Sequence, residues 1–374
     1  MKRRLLKWVG LALLLALAAF LVMASGIISI PASSKHWALT YWILDFTKRR
    51  SVATHTLGGD PLKLHEEWMV LKGAGHYLTG CQPCHGSPGT NGFALLMKGA
   101  TPSPPYLPDR ISRWEPDELF YIVKHGIKFT GMPAWPALQR DDEVRAMTAF
   151  LTRLPSLDAQ GFDALVYPAP GTPGSGPARQ VEGMAVPRAV VVSCARCHGS
   201  DGGGRGAGAF PKLAGQRREY LLGALDAYAR GQRYSGLMQP LSVGLPAEER
   251  TRIADYYAAL QAIAPSTAEP GAVDPEVERG RSIAHQGIPE QRVPICIRCH
   301  GPKSTPVNPN YPSLAGQYRE YLLLQMKLFK QGQRGGGKYA HLMHEAARGL
   351  REDQMSDVAA YFASLPTHSH SRSH

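Results

Sequence analysis

All six cysteines of this 374-residue chain fall in three copies of one pattern: Cys81-Gln82-Pro83-Cys84-His85, Cys194-Ala195-Arg196-Cys197-His198 and Cys296-Ile297-Arg298-Cys299-His300. Two thiols three positions apart with an imidazole next to the second suit one chemistry well. The thiols bond the two vinyl groups of a porphyrin and the imidazole ligates its iron. The pattern predicts three covalently attached haem c groups, held by Cys81, Cys84 and His85, by Cys194, Cys197 and His198, and by Cys296, Cys299 and His300. Zinc is the rival metal, but a structural zinc site draws its four ligands from two separated pairs. Here each pair has only its own histidine beside it, and no cysteine is left over for a disulfide.

An iron held by one histidine keeps an open axial position that can take oxygen or peroxide. A second protein ligand closes it, and a thioether raises the potential by favouring ferrous iron. Met132 lies in a Gly-Met-Pro turn downstream of His85, while Met97 and Met147 read as packing residues. Met238 is the sole methionine between His198 and the third motif. The third segment offers three donors in His341-Leu342-Met343-His344. Leu237-Met238 precedes Leu260 by the same interval as Leu342-Met343 precedes Leu365, which selects Met343 over His341 and His344. Met326 and Met355 fall at helical core spacing. The expected iron ligands are therefore His85 with Met132, His198 with Met238, and His300 with Met343.

The elements that position these groups are helical in pattern. Residues 63–155 contain an apolar-periodic stretch from His65 to Leu78 that leads into Cys81. Pro116 to His125 follows, with proline and acids in its first turn. Asp141 to Leu154 comes last, with acids at its start and Pro155 to stop it. After a Pro/Gly-rich stretch, 156–180, the chain repeats itself. Phe210-Pro211-Lys212-Leu213-Ala214-Gly215-Gln216 matches Tyr311-Pro312-Ser313-Leu314-Ala315-Gly316-Gln317, Arg218 to Leu222 matches Arg319 to Leu323, and Gly231-Gln232-Arg233 matches Gly332-Gln333-Arg334. Segments 181–265 and 274–366 are thus one unit used twice, joined by a linker at 266–273. Residues 367–374 form a polar, histidine-containing tail expected to be disordered.

Upstream, Lys2, Arg3, Arg4 and Lys7 precede an almost unbroken apolar run from Trp8 to Ile30. At about 1.5 Å per residue, that run matches a bilayer core of roughly 30 Å. Residues 1–30 are therefore expected to be a single transmembrane anchor in membrane lipid, with a cytoplasmic N-terminus and everything beyond it on the periplasmic side of a bacterial inner membrane. A cleaved signal peptide is the alternative, given the small residues Ala24-Ser25-Gly26. Residues 31–62 form a juxtamembrane linker able to make an interfacial helix, with Trp37, Tyr41 and Leu44 at helical spacing and Lys48, Arg49 and Arg50 at its end.

Residues 63–155 resemble a class I mono-haem cytochrome c domain. Residues 181–366 resemble the di-haem cytochrome c4 family, since motif, Leu-Ala-Gly-Gln segment, following helix and methionine arrive in the same order in both halves. The resemblance implies a mainly α fold, with three class I domains in tandem behind the N-terminal helix. By similarity to that class it also implies that the Pro211 and Pro312 carbonyls accept from the second ring nitrogens of His198 and His300, with Pro104 or Pro105 serving His85. The first segment, with its shorter Gly131-Met132-Pro133-Ala134 motif, is of a different class I subtype.

The formal charge is +12. Three haems bring two propionates each, which lowers the total to about +6 and still favours a redox partner with an acidic docking face. No motif points to nucleic acid. The function expected is one-electron transfer outside the cytoplasm to or from a respiratory oxidase or membrane dehydrogenase, without catalytic residues of the chain's own. The alternative is a haem enzyme such as a peroxidase with one axial site open.

Overall fold

A computed structural model describes residues 2–59, 61–90, 97, 99–167, 180–261, 274–301 and 307–367. The Pro/Gly run from Ala169 to Gly176, the linker at 266–273 and the tail histidines lie outside the described residues. Among the described residues the chain is helical without a sheet; isolated bridges join Val181 to Met184, Arg205 to Phe210 and Ile288 to Val293.

The N-terminal helix, Lys2–Ala24, is fully exposed, has a mean hydropathy of 2.4 over its most apolar window, and by length and composition fits a membrane span or a signal sequence. It stops six residues short of the expected Ile30, at Ser25 and a left-handed Gly26 (φ 71°). The next helix, Ala38–His55, has two unlike halves. Its first half leaves Leu39, Tyr41, Trp42, Ile43 and Phe46 exposed, as is Trp37 just before it. Its second half docks on the first domain, with Val52 buried, His55 stacked on Tyr121 (5.4 Å) and Lys48 over the Trp114 ring (5.9 Å). The stretch between anchor and first domain is thus partly a packed element of that domain.

Three apolar cores follow in chain order. In the first, the helix Glu67–His76 crosses Asp141–Arg153 so closely that a Cβ on Gly73 would lie 2.1 Å from the Ala146 carbonyl oxygen. Glycine is required there because the two backbones touch. Tyr77, Phe150 and Phe162 meet ring to ring around this crossing. The helix expected from Pro116 to His125 occupies those residues and packs on the same element.

One boundary needs correction. Residues from 156 onward were expected to be linker, yet Ala159–Val166 is a helix whose Phe162 and Val166 are buried in the first core. Asp158 starts it by accepting from the Gly161 N–H at 2.7 Å, and Phe162 and Val166, one turn apart, give it an apolar face.

The second and third cores share a plan. Arg218–Ala229 packs on Ala247–Ala259, and Arg319–Lys330 on Glu352–Ser364. Equivalent bonds run from Gly215 N–H to the Tyr257 carbonyl (3.2 Å) and from Gly316 N–H to the Phe362 carbonyl (2.9 Å). The third domain also has a leading helix, Pro275–Gln286, which crosses the last helix at Gly280; a Cβ there would lie 1.9 Å from the Asp357 carbonyl oxygen. Among the described residues, the second domain has only a π-helical turn, Val190–Cys194, before its motif. Met147, Met326 and Met355 are core residues in their domains.

Candidate haem-attachment and iron-ligand sites

Each cysteine motif closes as one short helical turn: Gln82–His85, Ala195–His198 and Ile297–His300. Spacing of three and four along a helix brings both sulfurs and the imidazole to one side of the turn. The six cysteines are half-buried and unpaired by disulfides. Burial pushes the Cys81 and Cys194 thiols up to about 12 and those of Cys197 and Cys296 to about 11. Among the described residues no group of three or more His, Cys, Asp or Glu side chains could hold a metal ion by itself.

The three histidines are oriented alike. Nδ1 of His85 lies 2.9 Å from the Pro105 carbonyl oxygen, Nδ1 of His198 3.0 Å from that of Pro211, and Nδ1 of His300 3.0 Å from that of Pro312. A carbonyl only accepts, so Nδ1 carries the proton and Nε2 keeps its lone pair. Burial lowers the basicity of all three rings, against the opposing pull of the proline carbonyls, and holds them neutral. The two thiols and one unprotonated Nε2 are the donor set that covalent haem c needs, and the residues present fit that group. Of the two prolines open in the first domain, Pro105 makes the contact.

Tyrosines fix the chain beyond the first and second turns, which residue spacing alone did not reveal. The Tyr77 hydroxyl donates to the Gly86 carbonyl at 2.6 Å. In the second domain, Tyr256 and Tyr257 donate to the Ser200 and Gly199 carbonyls at 3.1 and 3.4 Å. A buried hydroxyl needs a partner, so a fully buried tyrosine near a motif is the signal that could have found them.

The methionines sit on different supports. Met132 is half-buried in a turn whose shape depends on Gly126 (φ 65°), because a Cβ there would come within 2.6 Å of the Met132 carbonyl oxygen. The Met132 N–H donates to Thr130 Oγ1 at 3.1 Å and its carbonyl accepts from the Ile127 N–H at 3.1 Å. Met238 is the first residue of the six-residue helix Met238–Val243. Met343 lies within the helix Ala340–Gly349 and packs against the third core. Its two rivals differ from it: His341 is exposed, and His344 turns Nδ1 to the Phe329 carbonyl (2.8 Å) with its ring edge-on to Phe329.

The second and third domains meet through reciprocal bonds between repeat-equivalent residues. Arg334 donates to the Tyr220 hydroxyl (2.8 Å) and Arg233 to that of Tyr321 (3.4 Å), the repeat-equivalent bond in the opposite direction. Burial raises the Tyr220 phenol, but the two guanidinium charges beside it dominate and bring it down to about 8.

The first domain docks on the second through a network the sequence did not announce. Arg205 crosses to the carbonyls of Leu165 (3.2 Å) and Val166 (3.1 Å) at the C-terminus of the Ala159–Val166 helix. Arg140 donates to the Tyr234 carbonyl (2.5 Å), and the buried Glu143 carboxylate receives Ser235 Oγ (2.7 Å) and Gly236 N (2.6 Å).

Comparison with known proteins points to cytochrome c domains. The family model "Cytochrome c" matches residues 188–258 and 278–366, and that of "Cytochrome C oxidase, cbb3-type, subunit III" matches residues 69–151. Each matched segment contains one of the three motifs. A thiosulfate dehydrogenase electron acceptor of Thiomonas intermedia is 37% identical over 177 residues, which are 47% of this chain and 80% of that protein. The protein of the same description from Stutzerimonas stutzeri is 35% identical over 205 residues, 55% of this chain and 93% of the relative. Cytochrome c4 of Thiocapsa roseopersicina is 32% identical over 175 residues, 46% of this chain and 86% of the relative.

Proposed function

Because this chain belongs to the cytochrome c family and is an electron-transfer protein, we propose that it is a membrane-anchored tri-haem carrier accepting single electrons from a periplasmic dehydrogenase that oxidises thiosulfate or a related reduced sulfur anion. It passes them to a respiratory oxidase. The observation that carries the proposal is the threefold recurrence of one arrangement, a motif histidine tied through Nδ1 to a proline carbonyl at 2.9–3.0 Å. Three copies support three haems, and relatives described as thiosulfate dehydrogenase electron acceptors support the donor.

Covalent haem c supplies a one-electron ferric/ferrous couple. The chain's own residues do the rest. Cys81 and Cys84, Cys194 and Cys197, and Cys296 and Cys299 would hold the haems through thioether bonds, and His85, His198 and His300 would supply Nε2 as iron ligands. Met132, Met238 and Met343 would each supply a thioether as a second protein ligand, which would favour the ferrous state. The proline carbonyls hold the imidazole tautomers and tune their basicity. The Lys2–Ala24 helix keeps the domains at the outer face of the inner membrane, and the chain's excess of basic residues favours a partner with an acidic docking face.

The test is reduction of the purified holoprotein by a thiosulfate-oxidising dehydrogenase under stopped flow. Reduction of all three haems at a rate that falls with ionic strength is expected. Absence of reduction, with dithionite still reducing every haem, overturns the assigned donor.

A further inference from the structure

Glu143 belongs to the first domain, yet two of its four polar partners are in the second. Oε1 accepts from Ser235 Oγ at 2.7 Å and lies 3.2 Å from Arg140 Nη2; Oε2 accepts from Gly236 N at 2.6 Å and from Trp135 Nε1 at 3.1 Å. Its residue is 2% exposed. A carboxylate this deeply desolvated is costly unless every lone pair is used, so the first domain carries a site that only the 235–236 turn completes.

That turn leads directly into Met238. Ser235 Oγ, while donating to Glu143, accepts from the N–H groups of Leu237 (3.3 Å) and Met238 (3.1 Å). The contact is also steric. A Cβ on Gly236 would lie 2.3 Å from Trp135 Nε1 and 2.4 Å from Trp135 Cε2, so the turn is pressed against the indole of a residue three positions beyond Met132. Arg140 clamps the preceding carbonyl, Tyr234 O, at 2.5 Å. Met343 has no need of such help, because its backbone lies inside a ten-residue helix, whereas Met238 opens a helix of six residues.

We propose that Glu143, with Trp135, is a positioning residue for the second haem: the first domain holds the Ser235–Met238 turn in place and so sets the methionine ligation of its neighbour. The inference rests on the assignment of Met238 as iron ligand. It makes the second haem's ligand field depend on docking of the first domain, beyond what either domain's own residues would dictate.

The experiment uses full-length holoprotein at equal haem content and reads the near-infrared methionine-to-ferric-iron absorption. Met238→Ala should remove about one third of that band, one haem of three. Gly236→Ala, a change in the second domain's own turn, forces that turn off Trp135 and should remove a similar share; Glu143→Ala should do the same. Gly236→Ala combined with Trp135→Ala reopens the space and should recover part of the loss. An intact band in Met238→Ala overturns the ligand assignment and this inference with it. A band reduced in Met238→Ala but intact in both Gly236→Ala and Glu143→Ala overturns the inference alone.

Discussion

Gln216 and Gln317 occupy equivalent positions of the two repeats and make the same pair of bonds in opposite directions. Gln216 accepts from Ser313 N (2.8 Å) and donates to Ser313 O (3.0 Å); Gln317 accepts from Lys212 N (3.1 Å) and donates to Lys212 O (3.0 Å). Each amide therefore satisfies both backbone groups of the residue following the proline that orients the other domain's motif histidine. The joint between the second and third domains is built from the same segments that hold their imidazoles.

Gln216→Ala and Gln317→Ala should each lower the stability of the two-domain unit by about 1–3 kcal/mol, since each leaves a backbone N–H and C=O without their partner. Denaturant unfolding of the full chain, followed by the absorption of its haems, measures this. The two losses should not add, because either one loosens the same interface.

The helix crossings give a second expectation. Gly73→Ala and Gly280→Ala place a methyl group where a carbonyl oxygen already lies, at 2.1 and 1.9 Å. Overpacking of this kind costs about 1–3 kcal/mol or more. Thermal unfolding should show the first domain losing stability in Gly73→Ala and the third in Gly280→Ala, each with the other domain unaffected.

Much of this organisation is legible in the residues. The three motifs, the Leu-Ala-Gly-Gln repeat and the acids opening Asp141–Arg153 announce their elements locally, because caps and attachment motifs are short-range devices. The helical spacing of Met326 and Met355 likewise marks them as core residues, and both are buried. The junction of the first two domains is not legible, since Arg140 and Tyr234 or Glu143 and Ser235 are over ninety positions apart and no period links them. Glu143 in particular looks like an ordinary helix-start acid beside Asp141 and Asp142; only packing shows that it faces inward. The Ala159–Val166 helix is hidden for a different reason, lying between Pro155 and a Pro/Gly run that dominates the local composition.

A pH dependence follows from His76, buried against Trp135 at 5.5 Å. Burial, opposed by the Glu143 charge, lowers its basicity to about 4. Between about 4 and its ordinary 6.5, the unfolded chain binds a proton that the folded chain refuses, so stability rises with pH across that window and falls on acidification. The loss approaches about 3 kcal/mol near pH 4. Unfolding of the wild type and of His76→Gln at pH 7 and pH 4.5 checks it: the variant should show a shallower decline.

The third haem's ligand is open to direct substitution. Met343→Ala should remove about one third of the near-infrared methionine band and lower one midpoint potential, whereas His341→Ala and His344→Ala should leave the band whole. An unchanged band in Met343→Ala with a changed spectrum in His344→Ala would transfer the assignment to the histidine.

The central claim is that one chain carries three one-electron centres. Anaerobic reductive titration of the purified, fully oxidised holoprotein counts them directly. Uptake of three electrons per chain is the predicted result; an end point at two or fewer, with no apoprotein present, contradicts it.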